Sequence, residues 1–365
     1  MGYLKAIFSV FLLCNLMSCA AESTGNSEIK TTELKDFELF VSLESNTLAI
    51  PNIIKYDKNL FVYDIGHGKI IEIGQDKKVV REFGRAGRGP GEFLLVNNIF
   101  LTEDHLYIVD NVQLLTHKYH KNGELQSSFD FGKITKQPIA PPPPAGLMAM
   151  EIDNQPFISL QGDIMLSTVN VGTTDGNIFE LLNWEGDKLS ELGEVPEGST
   201  FDLDYVKLRQ DVSQREIPSF YRSNSFPVSD YANPDEFFVV YSSLPKIAKY
   251  KADGEKIWEH EIKSTETDSI SNRFFEVMDD MRKSSDIRDR IDLEYYTSGI
   301  SGENGDIYLV VNSRPVVVHQ FSGTGELIHK YKFTSEEITP ILDFDFANKR
   351  VFAVTKEGEV RTYSF

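Results

Sequence analysis

A glycine-rich segment, residues 84–91, is the first part of the sequence whose residue types and spacing suggest chemistry. Glycine-rich loops bind phosphate through their backbone N–H groups when the segment ends in Gly-Lys-Ser/Thr and leads into a helix, and this one has neither feature. Its four glycines and one proline instead predict a tight crossover between strands. Arg85 and Arg88 are candidates for pairing an anionic group of a ligand. The alternative is that both are solvated loop arginines.

Acidic and histidine side chains suggest a second kind of chemistry, metal binding. Calcium requires carboxylate and amide oxygens that converge on one point. The acidic residues available for such a site are Asp64, Asp110, Glu303 and Asp343. The sequence is compatible with a calcium ion at these residues. It requires no cofactor, and it does not identify a metal. His117 and His120 lie three apart on a predicted strand, so they point to opposite sides and cannot share an ion. His67, in a predicted loop, is the better candidate for ligand contact.

Nucleophilic catalysis has no signature in this sequence. There is no Gly-x-Ser-x-Gly segment and no recognisable Ser/His/Asp arrangement. Tyr221 and Arg222 lie in a long segment between predicted strands and are candidates for ligand contact, because an aromatic ring can stack on a sugar. Burial in the core is the alternative for the tyrosine. No catalytic residue is assigned, and the balance of the sequence is against an enzyme.

Six runs rich in β-branched and aromatic residues recur along the chain and predict the elements that position these side chains. The runs are residues 60–64, 106–110, 164–168, 237–241, 307–311 and 351–355. The two shortest spacings between their starts, 46 and 44 residues, match a four-stranded propeller blade. Tight-turn signals such as Asn122-Gly123 lie between the later strands of a repeat. The pattern predicts an all-β, six-bladed β-propeller over residues 34–365; a β-sandwich or a pair of β domains is the alternative.

The two ends of the repeat region complement one another. The last repeat stops after its third strand, whereas residues 37–43 alternate apolar and polar side chains and precede the first blade without a partner. Placing this N-terminal strand in the last blade completes the blade and closes the ring, so that no blade face is left exposed.

The segment 80–93, Val-Arg-Glu-Phe-Gly-Arg-Ala-Gly-Arg-Gly-Pro-Gly-Glu-Phe, follows Val62-Tyr63-Asp64. In this respect the chain resembles the six-bladed β-propeller lipoproteins of Bacteroidetes, relatives of NHL-repeat proteins. The resemblance covers roughly residues 35–365. Later blades depart from the NHL consensus, since only Asp64 and Asp110 keep the acid after the second strand. The family has no agreed chemistry, so the resemblance implies fold and location rather than activity.

Three long insertions, residues 132–154, 196–226 and 264–296, each join the last strand of one blade to the first strand of the next. Because strands within a blade alternate in direction, all three lie on the same face of the propeller, the insertion-bearing face. Loops held by a rigid scaffold often carry function. Apolar residues within 269–282 share one helical face and predict a helix that packs back on the propeller.

Residues 1–18 predict a signal peptide of the lipoprotein type. Lys5 precedes an 11-residue stretch, 6–16, that is largely apolar and too short to span a membrane. The sequence Leu-Met-Ser-Cys at 16–19 resembles a bacterial lipobox, which would place a lipid on Cys19. An ordinary signal peptide or an uncleaved anchor is the alternative. Residues 19–33 predict a flexible tether.

Composition limits the classes of partner. The 365 residues include 37 Lys and Arg against 56 Asp and Glu, which gives a net charge of −19. Such a surface repels phosphate backbones, so nucleic-acid binding is not expected. The only cysteines are Cys14 and Cys19, which excludes a disulfide framework from the rest of the chain.

The sequence therefore predicts a propeller anchored by lipid in the cell envelope, at the outer membrane, with no other membrane contact. We expect it to bind a protein, peptide or glycan ligand at the insertion-bearing face. Two alternatives stay open. One is a calcium- or zinc-dependent hydrolase or lyase acting at the central channel of the ring. The other is a structural component of an envelope complex.

Overall fold

A computed structural model describes residues 29–42, 48–134, 156–167, 176–200, 204–284 and 293–365. The chain divides into two compact units, Met1–Lys30 and Thr31–Phe365. Strands of the second unit, within the described ranges, form six antiparallel sheets arranged as a ring. The predicted fold class, an all-β six-bladed propeller, is confirmed.

The strands follow the order of the repeats. β1 (Lys30–Leu34) and β2 (Phe37–Val41) come first. Blade 1 contains β3 (Pro51–Asp57), β4 (Asn59–Asp64), β5 (Lys69–Ile73) and β6 (Val79–Phe83). Blade 2 contains β7 (Val96–Leu101), β8 (His105–Asp110), β9 (Leu115–His120) and β10 (Leu125–Asp130). Blade 3 contains β11 (Phe157–Ile158), β12 (Ile164–Ser167), β13 (Asn177–Leu182) and β14 (Lys188–Glu194).

The second half of the ring continues in the same way. Blade 4 contains β15 (Ser225–Ser229), β16 (Glu236–Tyr241), β17 (Lys246–Lys251) and β18 (Lys256–Glu261). Blade 5 contains β19 (Tyr296–Ser301), β20 (Ile307–Val311), β21 (Val317–Phe321) and β22 (Leu327–Phe333). Blade 6 contains β23 (Ile338–Asp345), β24 (Arg350–Thr355) and β25 (Val360–Ser364), together with β2.

The second strand of blade 1 shows why the six apolar runs specify this architecture. In β4, Leu60 and Val62 pack in a cluster shared with blade 6, whereas Phe61 and Tyr63 pack in a cluster shared with blade 2. All four side chains are at most 2% exposed. A strand buried on both faces is apolar throughout instead of alternating, which is the pattern in the sequence.

Blade 6 combines the last three strands of the chain with an early one. β2 pairs antiparallel with β25, with Phe37 opposite Tyr363 and Val41 opposite Val360. The structure differs from the sequence prediction at residues 30–33. These residues end the predicted tether, 19–33, but they belong to β1. β1 adds a fifth strand to blade 5 beside β22. It is ordered because Leu34 is buried between blades 5 and 6 and its carbonyl accepts a hydrogen bond of 3.2 Å from Thr334 N.

Two helices lie in the crossovers predicted to be insertions. α1 (Tyr205–Ser213) lies between blades 3 and 4, and α2 (Thr265–Ser284) between blades 4 and 5. The predicted helix at 269–282 falls within α2. Phe131–Lys133 forms a 3₁₀ turn at the start of the remaining insertion, whose residues 135–154 lie outside the described part of the chain. Neither described helix combines the length and apolarity that a membrane crossing requires.

Candidate functional site

A central cavity with a volume of about 1360 Å³ lies at the axis of the ring. The innermost strand of every blade contributes to its wall: β3, β7, β11, β15, β19 and β23. Asn111, Ser243 and Glu294 line it from loops and crossovers of the insertion-bearing face. None of the seven residues predicted to bind a ligand lines this cavity.

β-Bulges bring consecutive polar side chains to the cavity wall. The pairing of β7 with β8 shifts register between Val96 and Asn98, and both Asn97 and Asn98 line the cavity. The pairing of β19 with β20 shifts in the same way near Ser298, where Thr297 and Ser298 line it. A bulge interrupts the side-chain alternation of a strand, so two neighbouring residues can serve one surface. Sequence reasoning missed these residues.

The polar groups of this wall are only partly used by the fold. Asn97 Oδ1 accepts a hydrogen bond of 3.2 Å from Asn111 N, and Asn98 Oδ1 accepts one of 2.9 Å from Ile99 N. Within the described residues, the side-chain amide nitrogens of Asn97 and Asn98 have no partner. Asn111 Oδ1 and Ser229 Oγ are buried and also lack one there. The amide nitrogens of Asn97 and Asn98, on half-buried residues of the wall, are therefore the groups that a ligand can use. The two oxygens are almost fully buried, where a polar group usually has a partner.

Aromatic rings lie beside these polar groups. The rings that line the cavity belong to Tyr56, Phe100, Phe157, Phe179, Phe226 and Tyr231. Phe100 and Phe157 are in edge contact, with centroids 5.0 Å apart. Tyr231 is 54% exposed and projects from the turn between β15 and β16. The wall therefore combines amide and hydroxyl groups with apolar ring faces.

Asp343 is a buried carboxyl group on this wall. Burial raises its pKa, and the opposing effects of Lys55 and of a 2.5 Å hydrogen bond from Tyr56 N are smaller. Burial also raises the pKa of Tyr231, and the negative charges of Asp57, Glu303 and Asp343 add to that shift. Asp343 and Glu303, two of the four acidic residues considered for calcium, thus act on one tyrosine. Among the described residues, however, no group of three His, Cys, Asp or Glu side chains is arranged to hold a metal ion.

Asp64 and Asp110 have structural partners. Asp64 accepts hydrogen bonds from the backbone of Ala49 and Ile50, both at 2.7 Å, and from His67 Nδ1 at 2.6 Å. Burial alone would raise its pKa, but these hydrogen bonds outweigh burial and lower it. Asp110 accepts from the backbone N–H groups of residues 94, 112 and 113 at 2.6–3.0 Å. Each carboxylate ties the loop after the second strand to the segment before the first strand. This hydrogen bond engages Nδ1 of His67, which the sequence analysis names as a candidate for ligand contact.

The glycine-rich segment folds around a carboxylate of its own. Glu92 Oε2 accepts a 2.7 Å hydrogen bond from Gly89 N, and Glu92 Oε1 pairs with Arg85 Nε at 2.6 Å. Gly84 has φ +63°, and a Cβ there would lie 1.9 Å from the Phe93 ring, so the tight crossover needs glycine. Arg85, predicted to pair a ligand anion, is thus paired within the chain. Arg88 is exposed and has no side-chain partner among the described residues.

Tyr221 and Arg222 are part of the scaffold. Tyr221 is 8% exposed and its ring meets that of Phe274 in α2 edge-on, with centroids 5.8 Å apart. Arg222 Nε donates to Ile217 O at 3.0 Å and its Nη1 to Glu197 O at 3.1 Å. Both residues hold the insertions on the propeller, so the alternative of burial is correct for the tyrosine.

Comparison with known proteins gives the fold. No protein-family model matches the sequence, and no curated protein matches it. A member of the DUF4221 family from Bacteroides vulgatus has a TM-score of 0.53 at 10% identity, over 87% of this chain and 92% of that one. A putative exported protein from Bacteroides fragilis has a TM-score of 0.51 at 10% identity, over 92% of this chain and 99% of that one. These likenesses support the propeller that the sequence resemblance implied.

Proposed function

We propose that this protein is a lipid-anchored binding protein of the bacterial cell envelope that holds a neutral glycan in its central cavity. The observation that supports the proposal is the cavity wall, where the side-chain amide nitrogens of Asn97 and Asn98 have no partner among the described residues. Loop residues of the insertion-bearing face, such as Asn111, form one end of the cavity, and turn residues such as Lys58 form the other. The proposal is one of binding, without a catalytic step.

The chemistry of the wall favours a glycan over a charged ligand. Sugar hydroxyls pair well with neutral amides and hydroxyls, and the apolar faces of sugar rings pack on aromatic side chains such as Tyr231. The wall carries two lysines, Lys55 and Lys58, and four acidic side chains: Asp57, Glu103, Glu294 and Asp343. This balance disfavours an anionic ligand, and burial raises the pKa of Asp343, which favours its neutral form. With a volume of about 1360 Å³, the cavity is larger than a typical pocket for one small molecule.

Replacing Asn98 by Ala is expected to weaken glycan binding by up to about tenfold, since one neutral hydrogen bond contributes about 0.5–1.5 kcal/mol and about 1.4 kcal/mol is tenfold in affinity. The measurement is calorimetric titration of the mature chain, bearing Cys19→Ser, with neutral cello-, chito-, manno- and xylo-tetrasaccharides. Asn122→Ala, in a turn outside the cavity, is the matched control and should bind as the parent does. The proposal is wrong if no sugar binds, or if both variants lose affinity equally.

Lipid attachment at Cys19 is a separate part of the proposal, and this residue lies outside the described part of the chain. Its support is the lipobox-like sequence, together with the exported-protein description of one structural neighbour. We expect Cys19→Ala to remove incorporated palmitate and to release the protein from the outer-membrane fraction. Cys14→Ala should change neither. Release without loss of palmitate, or no release, would contradict the proposal.

A further inference from the structure

Five exposed aliphatic side chains lie together on the insertion-bearing face of blades 1 and 2. These residues, which we call the apolar shelf, are Ile50, Ile65, Leu94, Val112 and Leu114. Each is 36–57% exposed. All five belong to the loops after the second strands or to the segments before the first strands of these two blades. The described helices α1 and α2 belong to other crossovers, between blades 3 and 4 and between blades 4 and 5.

Hydrogen bonds and close contacts connect the loops that carry these five residues. Ile65 N donates to Ile50 O at 3.0 Å in blade 1. The backbones of Leu94 and Val112 both donate to the Asp110 carboxylate in blade 2. The glycine-rich segment connects the two halves, because Ala86 packs against Gly68 of blade 1 and Gln113 Nε2 donates to Glu92 O at 2.8 Å. Val112 also lines the central cavity, so the shelf is continuous with the cavity rim.

One uncompensated positive charge accompanies this surface. Arg85 is paired with Glu92 and His67 with Asp64, but Arg88 extends from the glycine-rich segment with no partner among the described side chains. Electrostatic attraction at a surface acts over about 8–10 Å at physiological salt. Locally, the shelf therefore complements a negative group, although the whole chain has a net charge of −19.

The size of the shelf limits its occupant. Five half-exposed aliphatic side chains present on the order of 400 Å² of apolar surface, which is the size of a functional patch on a monomer. A stable dimer buries about 800 Å² on each partner. The shelf is thus too small to hold a second copy of this acidic chain by itself. It fits a short extended segment that places two or three aliphatic side chains on it.

We propose that the apolar shelf binds a polypeptide segment of a partner protein, with aliphatic side chains on Ile65 and Val112 and a carboxylate on Arg88. This site adjoins the cavity at Val112 but does not include Asn97 or Asn98. The carboxylate comes from an Asp or Glu side chain or from the C-terminus of the partner. Apolar contact supplies affinity, and the arginine selects against partners without the acid.

A library of phage-displayed dodecapeptides, selected on the immobilised mature chain bearing Cys19→Ser, tests the proposal. We expect selected peptides enriched in Leu, Ile or Val next to Asp or Glu. Binding of the corresponding synthetic peptides should weaken at least tenfold in the double variant Ile65→Ser, Val112→Ser, and several-fold in Arg88→Ser. Val79→Ser, Val80→Ser is the matched control, because these valines are as exposed on the outer edge strand β6.

Several outcomes would overturn the proposal. Failure to select peptides would do so, as would peptides that bind the shelf variant as well as the parent chain. Sedimentation of the parent as a dimer that the shelf variant abolishes would identify a second copy as the occupant. Flotation of the parent with phosphatidylethanolamine–phosphatidylglycerol vesicles, lost in the shelf variant, would identify a lipid surface. Asn98→Ala should leave peptide binding intact, so failure here is distinguishable from failure of the glycan proposal.

Discussion

Replacing Asp64 by Ala is expected to lower the free energy of unfolding by about 4 kcal/mol, since breaking a fully buried charged network typically costs 3–5 kcal/mol. The side chain is 0% exposed and accepts hydrogen bonds from three backbone N–H groups and from His67. Its removal leaves the N–H groups of Ala49 and Ile50 without their acceptor. Urea denaturation followed by far-UV circular dichroism measures the change.

Glu82→Ala is the matched control for this substitution. Glu82 also lies in blade 1 and pairs with Lys69 at 2.6 Å, but its side chain is 49% exposed. Exposed pairs contribute at most about 1 kcal/mol. Asp64→Asn should fall between the two, because the amide oxygen still accepts a hydrogen bond while the charge is lost. A loss of under 1 kcal/mol in Asp64→Ala would show that the carboxylate does not anchor the blade.

The same residue shows where reading the sequence reaches its limit. Asp64 ends an apolar run inside a recognisable motif, so a carboxylate available for ligand or calcium was a reasonable expectation. Its actual partners are backbone N–H groups 14 and 15 residues earlier in the chain. Nearly every residue has a backbone N–H group, so residue types do not show which of these groups will bind a carboxylate. An aspartate that is satisfied in this way therefore looks the same in the sequence as one that is open to a ligand.

The number of blades, in contrast, could be predicted, because a strand that is buried on both faces consists of apolar residues throughout and such a run is visible in the sequence. β4 and β20 are continuous runs of β-branched, aliphatic and aromatic residues, and such runs recur once per blade. The cavity wall could not be predicted, because the bulge that brings Asn97 and Asn98 to one surface has no glycine or proline to mark it. Residue types alone also could not show that Arg85 pairs with Glu92, seven residues on, so its role toward a ligand stays a prediction.

A second large effect on stability is expected from Glu266, in the first turn of α2. Glu266 Oε2 accepts hydrogen bonds from His319 Nε2 at 3.2 Å and from Lys330 Nζ at 2.6 Å. On the other side of the imidazole, Tyr296 Oη donates to His319 Nδ1 at 3.0 Å. The network joins the helix to β19, β21 and β22 of blade 5. Its carboxylate also lies at the helix end that favours negative charge.

Glu266→Gln is expected to lower the free energy of unfolding by about 3 kcal/mol, since a neutral amide leaves the mostly buried Lys330 without its counter-charge. Denaturant unfolding at pH 7.5 measures the loss, and hydrogen exchange of α2 amides shows whether the helix detaches. Glu276→Gln, on the exposed side of the same helix, should change stability by under 0.5 kcal/mol. Equal losses in the two variants would contradict a specific role for Glu266.

The network also gives stability a defined dependence on pH. Burial lowers the pKa of His319 and outweighs the opposite effect of Glu266, so the folded chain keeps a neutral imidazole. Burial alone would raise the pKa of Glu266, but its bonds to His319 and Lys330 outweigh burial and lower it. Below about pH 6.5, His319 binds a proton in the unfolded chain more readily than in the folded chain. Below about pH 4.3, the same holds for Glu266. In both windows stability falls as pH falls.

Unfolding curves recorded from pH 8 to pH 5 report on the histidines. Burial also lowers the pKa values of His105 and His117, so the contribution of His319 is the difference between the parent chain and His319→Gln. We expect the parent chain to lose stability across the lower half of this range, up to about 1.4 kcal/mol for each unit by which the pKa is lowered. His319→Gln should reduce that slope, because glutamine has no proton to gain, while His105 and His117 keep their contributions. A parent curve as flat as that of His319→Gln would show that His319 titrates alike in both states. The helix would then be held chiefly by the apolar contacts of Phe274 and Phe275 with the core around Tyr221.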